Sequence, residues 1–175
     1  MNDYRILVVD DEEDLCEILK FNLENEGYEV DTAHSAEEAL KMDIGSYSLL
    51  LLDVMMGEIS GFKMASLLKK DKKTAQVPII ISYKTLVIDI VKKKVSIDGE
   101  EAPLTKKEFE ILLLLLQSKG RVFSREDILA RIWSDEVYVL DRTIDVNITR
   151  LRKKIGIYGK CIVTRLGYGY CFEAE

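Results

Sequence analysis

Apolar runs and amphipathic stretches alternate along the first half of the chain. Four segments have the uninterrupted or alternating hydrophobicity of strands: residues 5–9, 28–32, 48–52 and 77–81. The stretches between them carry apolar residues at helical spacing, as Leu15, Ile18 and Leu19 do before Gly27, a typical helix stop. A further helix is predicted over residues 61–70. The order β-α-β-α-β-α-β predicts an α/β domain, a doubly wound parallel sheet with helices on both faces.

The pattern changes after residue 82, where short strands and longer helices follow. Residues 86–91 and 95–100 are predicted as antiparallel strands, and Asp98-Gly99 is a strong turn signal. Three helices and a glycine-containing hairpin follow, at residues 105–119, 124–133, 141–156 and 161–172. These elements predict an α+β domain over residues 83–175, after a first domain over residues 1–82.

Charge is divided unevenly between the two predicted domains. The chain has 175 residues, of which 47% are hydrophobic, enough for two small domains with buried cores. Residues 1–82 carry a net charge of −9, whereas residues 83–175 carry +3 and the stretch 141–165 carries +5. This asymmetry predicts a second module that faces polyanions; a basic helix that is merely solvated is the alternative.

Composition excludes several classes of protein. No apolar run approaches the roughly 20 residues that a membrane span requires. The first residues lack the basic-then-apolar order of a signal peptide. Cys16, Cys161 and Cys171 are an odd number without the spacing of metal ligands, so we expect reduced thiols in a cytoplasmic protein that does not engage a membrane.

Carboxylates follow two of the predicted parallel strands. Asp10 and Asp11 come directly after the first strand, and Asp53 ends the third. If these strands are neighbours, the three side chains converge at the carboxyl edge of the sheet, where ligands of such folds gather. Clustered carboxylates call for a cation, and oxygen ligands suit Mg²⁺. A helix N-terminus is the alternative setting for acidic residues, but it does not account for Asp53.

The residues around these carboxylates resemble the receiver domain of response regulators. The resemblance rests on Ile-Leu-Val-Val-Asp-Asp-Glu at 6–12, Leu-Leu-Asp-Val-Met-Met at 51–56, and Gly61-Phe62. It implies a flavodoxin-like fold and transfer of a phosphoryl group to Asp53 from a phosphohistidine of a sensor histidine kinase. It also implies that Mg²⁺ is held by Asp10, Asp11, Asp53 and the backbone carbonyl of Met55.

The receiver predicted here is incomplete. After the fourth strand, the resemblance requires a helix, a strand ending near a lysine, and another helix, roughly 40 residues in all. Ser82 is the candidate for the switch hydroxyl of the receiver, although it lies one place earlier than in the usual receiver pattern. Lys84 is a poor substitute for the missing lysine, because it follows the fourth predicted strand and not the one that is absent. A segment lost from a longer chain, an internal deletion, or a minimal receiver completed by a partner would each explain this. Strand 77–81 is then expected to expose an unpaired edge, which either pairs with a second chain or makes this half of the protein poorly soluble.

The helix predicted over residues 141–156 has an apolar back and a basic front. Ile144, Ile148, Leu151 and Ile155 lie on one face. The other face presents the candidate DNA-binding residues Arg142, Thr143, Val146, Thr149, Arg150, Lys153 and Lys154. Such a helix suits the major groove of double-stranded DNA, because arginine can bond guanine edges and lysine can bond phosphates.

The second half resembles the OmpR/PhoB winged-helix domain. The resemblance is strongest in Asp-Arg-Thr-Ile-Asp-Val at 141–146 and Leu-Arg-Lys-Lys at 151–154. It implies a recognition helix at 141–156 and a wing near Arg165 that touches the minor groove, although the usual wing arginine lies one place later, at Leu166. It further implies that the loop 134–140 contacts RNA polymerase and that the protein binds DNA as a homodimer.

The sequence therefore predicts a transcriptional response regulator controlled by phosphorylation of Asp53, and not an enzyme. One alternative is a DNA-binding protein that acts without phosphorylation and keeps its receiver as a scaffold. A second is a Mg²⁺-dependent phosphatase with Asp53 as nucleophile. Met55 counts against the phosphatase, because it occupies the place of the aspartate that would act as general acid.

Overall fold

The computed structural model describes residues 4–134 and 139–174. The chain forms two compact units, Met1–Lys93 and Lys94–Glu175. The division falls eleven residues after the boundary expected from the sequence, since the strand that follows Ser82 packs with the first unit.

In the part of the first unit that the structure describes, residues 4–93, there are five strands and three α-helices. Its strands are β1 (Arg5–Val9), β2 (Glu29–Ala33), β3 (Leu49–Asp53), β4 (Ile79–Tyr83) and β5 (Leu86–Asp89). Its helices are α1 (Glu13–Asn25), the single turn α2 (Ala36–Ala39) and α3 (Gly61–Lys70). The bounds of α3 are those predicted. Strand β4 begins two residues later than predicted, after Pro78, which has no N–H to donate.

Strands of the first unit lie in the order β2-β1-β3-β4-β5. The first four are parallel, as predicted for a doubly wound sheet, and β5 is antiparallel to β4. Ile81 therefore lies between Leu52 of β3 and Ile88 of β5. The prediction that this strand exposes an unpaired edge to a second chain is wrong, because the chain returns through Lys84-Thr85 and pairs with it.

Alternation along the strands gives the sheet two apolar faces. On one face, Ile6, Val8 and Val30 form a core with Cys16 of α1. The opposite face carries residues with almost no exposed surface: Leu7, Val9, Leu50, Leu52, Ile79 and Ile81. Strands β1 and β3 pair in parallel within this sheet, so their carboxyl ends meet.

Within its described residues, the second unit contains three α-helices and two hairpins. The hairpins are β6 (Lys94–Ile97) with β7 (Glu100–Ala102), and β8 (Ile162–Arg165) with β9 (Gly169–Phe172). The helices are α4 (Lys106–Gln117), α5 (Arg125–Ile132) and α6 (Arg142–Lys154). The turn of the first hairpin is the predicted Asp98-Gly99, both with positive φ, 51° and 83°.

Helix ends and apolar faces of the second unit follow sequence signals. Thr105 and Glu108 form the predicted capping box at the start of α4. The buried face of α6 consists of the predicted Ile144, Ile148 and Leu151. Asp141 precedes α6 but makes no side-chain cap. Within the described residues, no helix is long and apolar enough to cross a membrane.

Candidate functional site

Three carboxylates meet at the carboxyl edge of the parallel sheet in the first unit. Asp10 follows β1 and is buried, Asp11 is exposed, and Asp53 is the half-buried last residue of β3. One oxygen atom from each lies within 4.8 Å of the others. The sequence prediction that these residues converge is confirmed by the parallel pairing of β1 with β3.

Backbone groups hold two of the carboxylates in place. The amide of Glu12 donates a 2.9 Å hydrogen bond to Oδ1 of Asp10, and the amide of Met55 donates to Oδ2 of Asp53. Helix α3 begins directly behind Asp53, since a Cβ on Gly61 would lie 2.3 Å from the carbonyl oxygen of Asp53. Only glycine permits this approach, so Gly61 belongs to the construction of the site.

Burial and mutual repulsion make this site costly to ionise. The pKa of Asp53 is raised to about 7, chiefly by burial and also by the neighbouring Asp10 and Asp11, although the hydrogen bonds from Met55 and Val54 act to lower it. Burial also raises the pKa of Asp10. A divalent cation would relieve both effects, and three hard oxygen donors at one sheet edge fit Mg²⁺.

Strand β4 borders this site. Ser82 pairs in register with Asp53, and its carbonyl accepts a 2.8 Å hydrogen bond from the amide of Val54. Lys84 occupies the turn to β5 with φ of 53°, and its ammonium lies 5.7 Å from the ring centre of Tyr83. Within the described residues, no lysine or arginine forms an ion pair with the three carboxylates.

The second unit presents the predicted basic surface on α6. Five candidate residues are exposed, and they follow one another at helical spacing: Arg142, Val146, Thr149, Arg150 and Lys153. Thr143 is half-buried beside them. The hydroxyl of Thr149 donates to the carbonyl of Asp145, 2.8 Å away, so its methyl group is the part best placed for an external contact.

Two predicted DNA-binding cations have acidic partners. Lys154 donates a 2.7 Å hydrogen bond to the buried carboxylate of Glu108 on α4. Arg165 forms an ion pair with Glu173 across the β8–β9 hairpin. These contacts attach both side chains to the protein itself, so neither Lys154 nor Arg165 belongs to the DNA interface that we propose.

Contacts that the sequence did not indicate join α6 to the hairpin. Arg152 donates from Nε and from one terminal nitrogen to the carbonyl of Ile162, at 2.9 and 2.6 Å. Asp145 accepts hydrogen bonds from Tyr170 and from Arg125. No local pattern reveals such pairs, because the partners are separated by ten or more residues.

Comparison with known families accounts for both units. The model of the response regulator receiver domain matches residues 6–107, more than half of the chain. The model described as "Transcriptional regulatory protein, C terminal" matches residues 99–172. The chain belongs to the response regulators. It combines a receiver domain with a winged-helix DNA-binding domain.

Relatives of this response regulator are similar over nearly their full length. Response regulator ArlR of Staphylococcus saprophyticus is 27% identical over 214 residues, covering 95% of this chain and 97% of ArlR. Transcriptional regulatory protein SrrA of Staphylococcus aureus is 27% identical over 230 residues, covering 97% and 95%. The crystal structure of DrrB, an OmpR/PhoB homolog from Thermotoga maritima, is 25% identical, with a TM-score of 0.51 and coverage of 98% and 99%.

These alignments are longer than the response regulator itself. The alignment with ArlR extends over 214 positions, which is 39 more than the 175 residues of this chain. Because the alignment covers 95% of this chain, or about 166 residues, about 48 of those positions lie opposite gaps in this chain. This number is somewhat larger than the roughly 40 residues that the receiver was expected to lack.

One predicted site of this response regulator cannot be placed. The loop 134–140, expected to contact RNA polymerase, contains residues 135–138, which lie outside the described residues.

Proposed function

We propose that this response regulator accepts a phosphoryl group on Asp53 from a sensor histidine kinase and regulates transcription by binding double-stranded DNA. The observation that carries the phosphorylation proposal is the meeting of Asp10, Asp11 and Asp53 within 4.8 Å at one edge of the sheet. Asp10 and Asp53 both accept a hydrogen bond from the following loop and have a raised pKa, but Asp10 is buried, whereas Asp53 is only half-buried and can be reached by a phosphodonor.

In the proposed transfer, a carboxylate oxygen of Asp53 attacks the phosphorus atom of the phosphohistidine. A P–O bond forms on Asp53, the P–N bond breaks, and the released imidazole nitrogen takes up a proton. The Met55 amide orients the attacking carboxylate. Mg²⁺ held by Asp10, Asp11, Asp53 and the backbone carbonyl of Met55 would neutralise charge on the carboxylates and on the phosphoryl group.

The proposed DNA interface is the exposed face of α6. Arg142, Arg150 and Lys153 supply cations, and Val146 and Thr149 supply methyl groups for contacts with thymine. Binding as a homodimer, with RNA polymerase recruited through the loop 134–140, completes the proposed mode of action in the cytoplasm.

A second candidate function is DNA binding that does not depend on phosphorylation. It is favoured by the lack, within the described residues, of any lysine or arginine paired with the acidic cluster. Without such a cation, the phosphorylated form lacks a group that would bind the phosphoryl oxygens. We therefore expect phosphorylation of Asp53 to be slow and its product short-lived.

Treatment of the full chain with acetyl phosphate and Mg²⁺, followed by intact-mass measurement, tests phosphorylation. We expect a mass increase of one phosphoryl group that is absent from Asp53→Asn and unchanged in Asp14→Asn, a control in the first turn of α1. Labelling that persists in Asp53→Asn would contradict the assignment. Equal affinity of the treated and untreated chain for DNA would favour the second candidate function.

A further inference from the structure

The tip of the β8–β9 hairpin exposes two large apolar side chains. Leu166 is 88% exposed, more than any other large hydrophobic residue in the described chain, and Tyr168 is 76% exposed. They flank Gly167, whose φ of 78° forms the turn, and the amide of Tyr168 closes it with a 2.9 Å hydrogen bond to the carbonyl of Arg165. A partner that covered both side chains would remove their apolar surface from water, which is favourable.

The base of this hairpin is fixed to the rest of the second unit. Phe123 and Tyr170 exchange two backbone hydrogen bonds of 2.8 and 2.9 Å. A Cβ on Gly169 would lie 1.9 Å from the carbonyl oxygen of Phe123, so the two backbones are in direct contact. Arg152 attaches the other strand through Ile162. The tip therefore projects from a rigid support.

Within the described residues 162–172 of the hairpin, the single cation already has an acidic partner. Arg165 precedes Leu166 directly, but its guanidinium is paired with Glu173. The tip thus presents hydrocarbon and a phenol, and the positive charge available for phosphates lies on α6. Since Arg152 belongs to α6 and binds β8, the helix and the hairpin are held together as two parts of one surface.

We propose that Leu166, with Tyr168 beside it, enters the minor groove of DNA and inserts between two base pairs. The inference rests on the DNA interface proposed above, since α6 in the major groove brings the attached hairpin to the neighbouring minor groove. Apolar side chains that insert in this way unstack a base step and kink the duplex. The kink costs least at flexible pyrimidine–purine steps, so the tip would select such steps without a hydrogen bond to a base.

Charge favours DNA over a protein as the partner of this tip. Residues 141–165, which comprise α6, the turn after it and β8, carry a net charge of +5, and +3 remains when Lys154 and Arg165, paired with Glu108 and Glu173, are left out. A surface of this charge draws the tip to a polyanion, and the cations of α6 then hold the backbone on either side of the groove.

Selection from a random-sequence duplex pool tests the inference with the full chain. Bound duplexes are enriched separately with four proteins: the wild type, Leu166→Ser, Leu166→Arg and the control Ile157→Ser. The affinity and the bend angle of the enriched duplexes are then measured. Ile157 is a matched control because it is 64% exposed in the same unit but lies outside the hairpin. Thermal unfolding checks that all variants are folded.

We expect the wild type and Ile157→Ser to enrich a pyrimidine–purine step beside the major-groove site and to bend the duplex there. Leu166→Ser should lose the bend and the preference at that step, with affinity about ten- to hundredfold lower, as the lost burial of one leucine implies. Leu166→Arg should lose the preference for a pyrimidine–purine step and instead prefer duplexes with a narrow, A/T-rich minor groove. Unchanged bending, preference and affinity in Leu166→Ser would overturn the inference and leave a protein as the partner of the tip. A wild type that enriches no sequence would contradict the proposed DNA interface, and with it this inference.

Discussion

The hydroxyl of Tyr170 on β9 donates a 2.6 Å hydrogen bond to the carboxylate of Asp145 on α6. The same oxygen of Asp145 accepts a 2.8 Å bond from Nε of Arg125, whose terminal nitrogen lies 3.2 Å from the Tyr170 hydroxyl. Burial alone would raise the pKa of Asp145, but the hydrogen bonds from Tyr170 and Arg125 outweigh it and lower the pKa. Asp145 therefore stays ionised and connects α5, α6 and the hairpin.

Tyr170→Phe tests this connection. The variant keeps the ring but removes the hydrogen bond to Asp145 and the one accepted from Arg125, so we expect the free energy of unfolding, measured in urea, to fall by about 1–2 kcal/mol. DNA affinity should also fall, because the hairpin and α6 are then less firmly joined. Tyr168→Phe is the matched control, since its hydroxyl is on an exposed side chain. Equal stability of the two variants would show that the Tyr170–Asp145 bond contributes nothing.

Glu108 makes the stability of the second unit depend on acid. Burial alone would raise the pKa of this carboxyl, but the ammonium of Lys154 and the amide of Thr105 lower it below the ordinary value of 4.5. Its stabilising effect is therefore complete above pH 4.5 and is lost as the pH falls through the lower, folded-state pKa. Glu108→Gln should lower the free energy of unfolding at pH 7 by about 1–3 kcal/mol and flatten this acid dependence. Glu110→Gln, two residues further along α4, is the control. In the same urea titrations it should leave both the free energy of unfolding at pH 7 and its acid dependence unchanged.

Mg²⁺ should stabilise the first unit against heat. A cation that binds only the folded acidic cluster adds about 2.7 kcal/mol at a concentration one hundred times its Kd. We expect a rise in Tm with MgCl₂ that is reduced in Asp11→Asn and Asp53→Asn and retained in Asp14→Asn. The same rise in all four proteins would place the ion elsewhere.

Gly61 offers a steric test of how α3 supports Asp53. In Gly61→Ala the new Cβ meets the carbonyl oxygen of Asp53 at 2.3 Å, so strand and helix must separate. We expect a loss of about 1–3 kcal/mol of stability and weaker phosphorylation of Asp53. Gly57→Ala is the control, because no atom lies within 4 Å of the added Cβ. A Gly61→Ala variant as stable and as reactive as Gly57→Ala would show that the close approach is dispensable.

Variants of Arg150 and Lys153 should distinguish contacts with base edges from contacts with phosphates. If Arg150 reads a base, Arg150→Ala weakens binding to the selected sequence by about 1–3 kcal/mol and relaxes preference at one position. Lys153→Ala should weaken binding to all sequences alike and lower the salt slope by about one. Equal losses on selected and random duplexes for both variants would remove this division of roles.

Local patterns in the sequence were sufficient for most of the elements and for the acidic cluster. Apolar runs ending on Asp10 and Asp53 indicate parallel strands, and parallel neighbours bring their carboxyl ends together whatever the rest of the chain does. The buried face of α6 and the capping box of Thr105 with Glu108 likewise depend on residues three or four positions apart. Such patterns can be identified in a single sequence because the same spacing of apolar residues recurs along each helix or strand.

Only the tertiary structure decided which partners the side chains take. The unpaired edge expected on β4 is covered by β5, and Lys154 and Arg165, expected on DNA, are engaged by Glu108 and Glu173. Strand pairing and ion pairing depend on which residues meet after the chain has turned back. Lys154 and Glu108 are 46 positions apart in the sequence. Hydrophobic periodicity extends over only a few residues, so it cannot predict a contact between side chains so far apart.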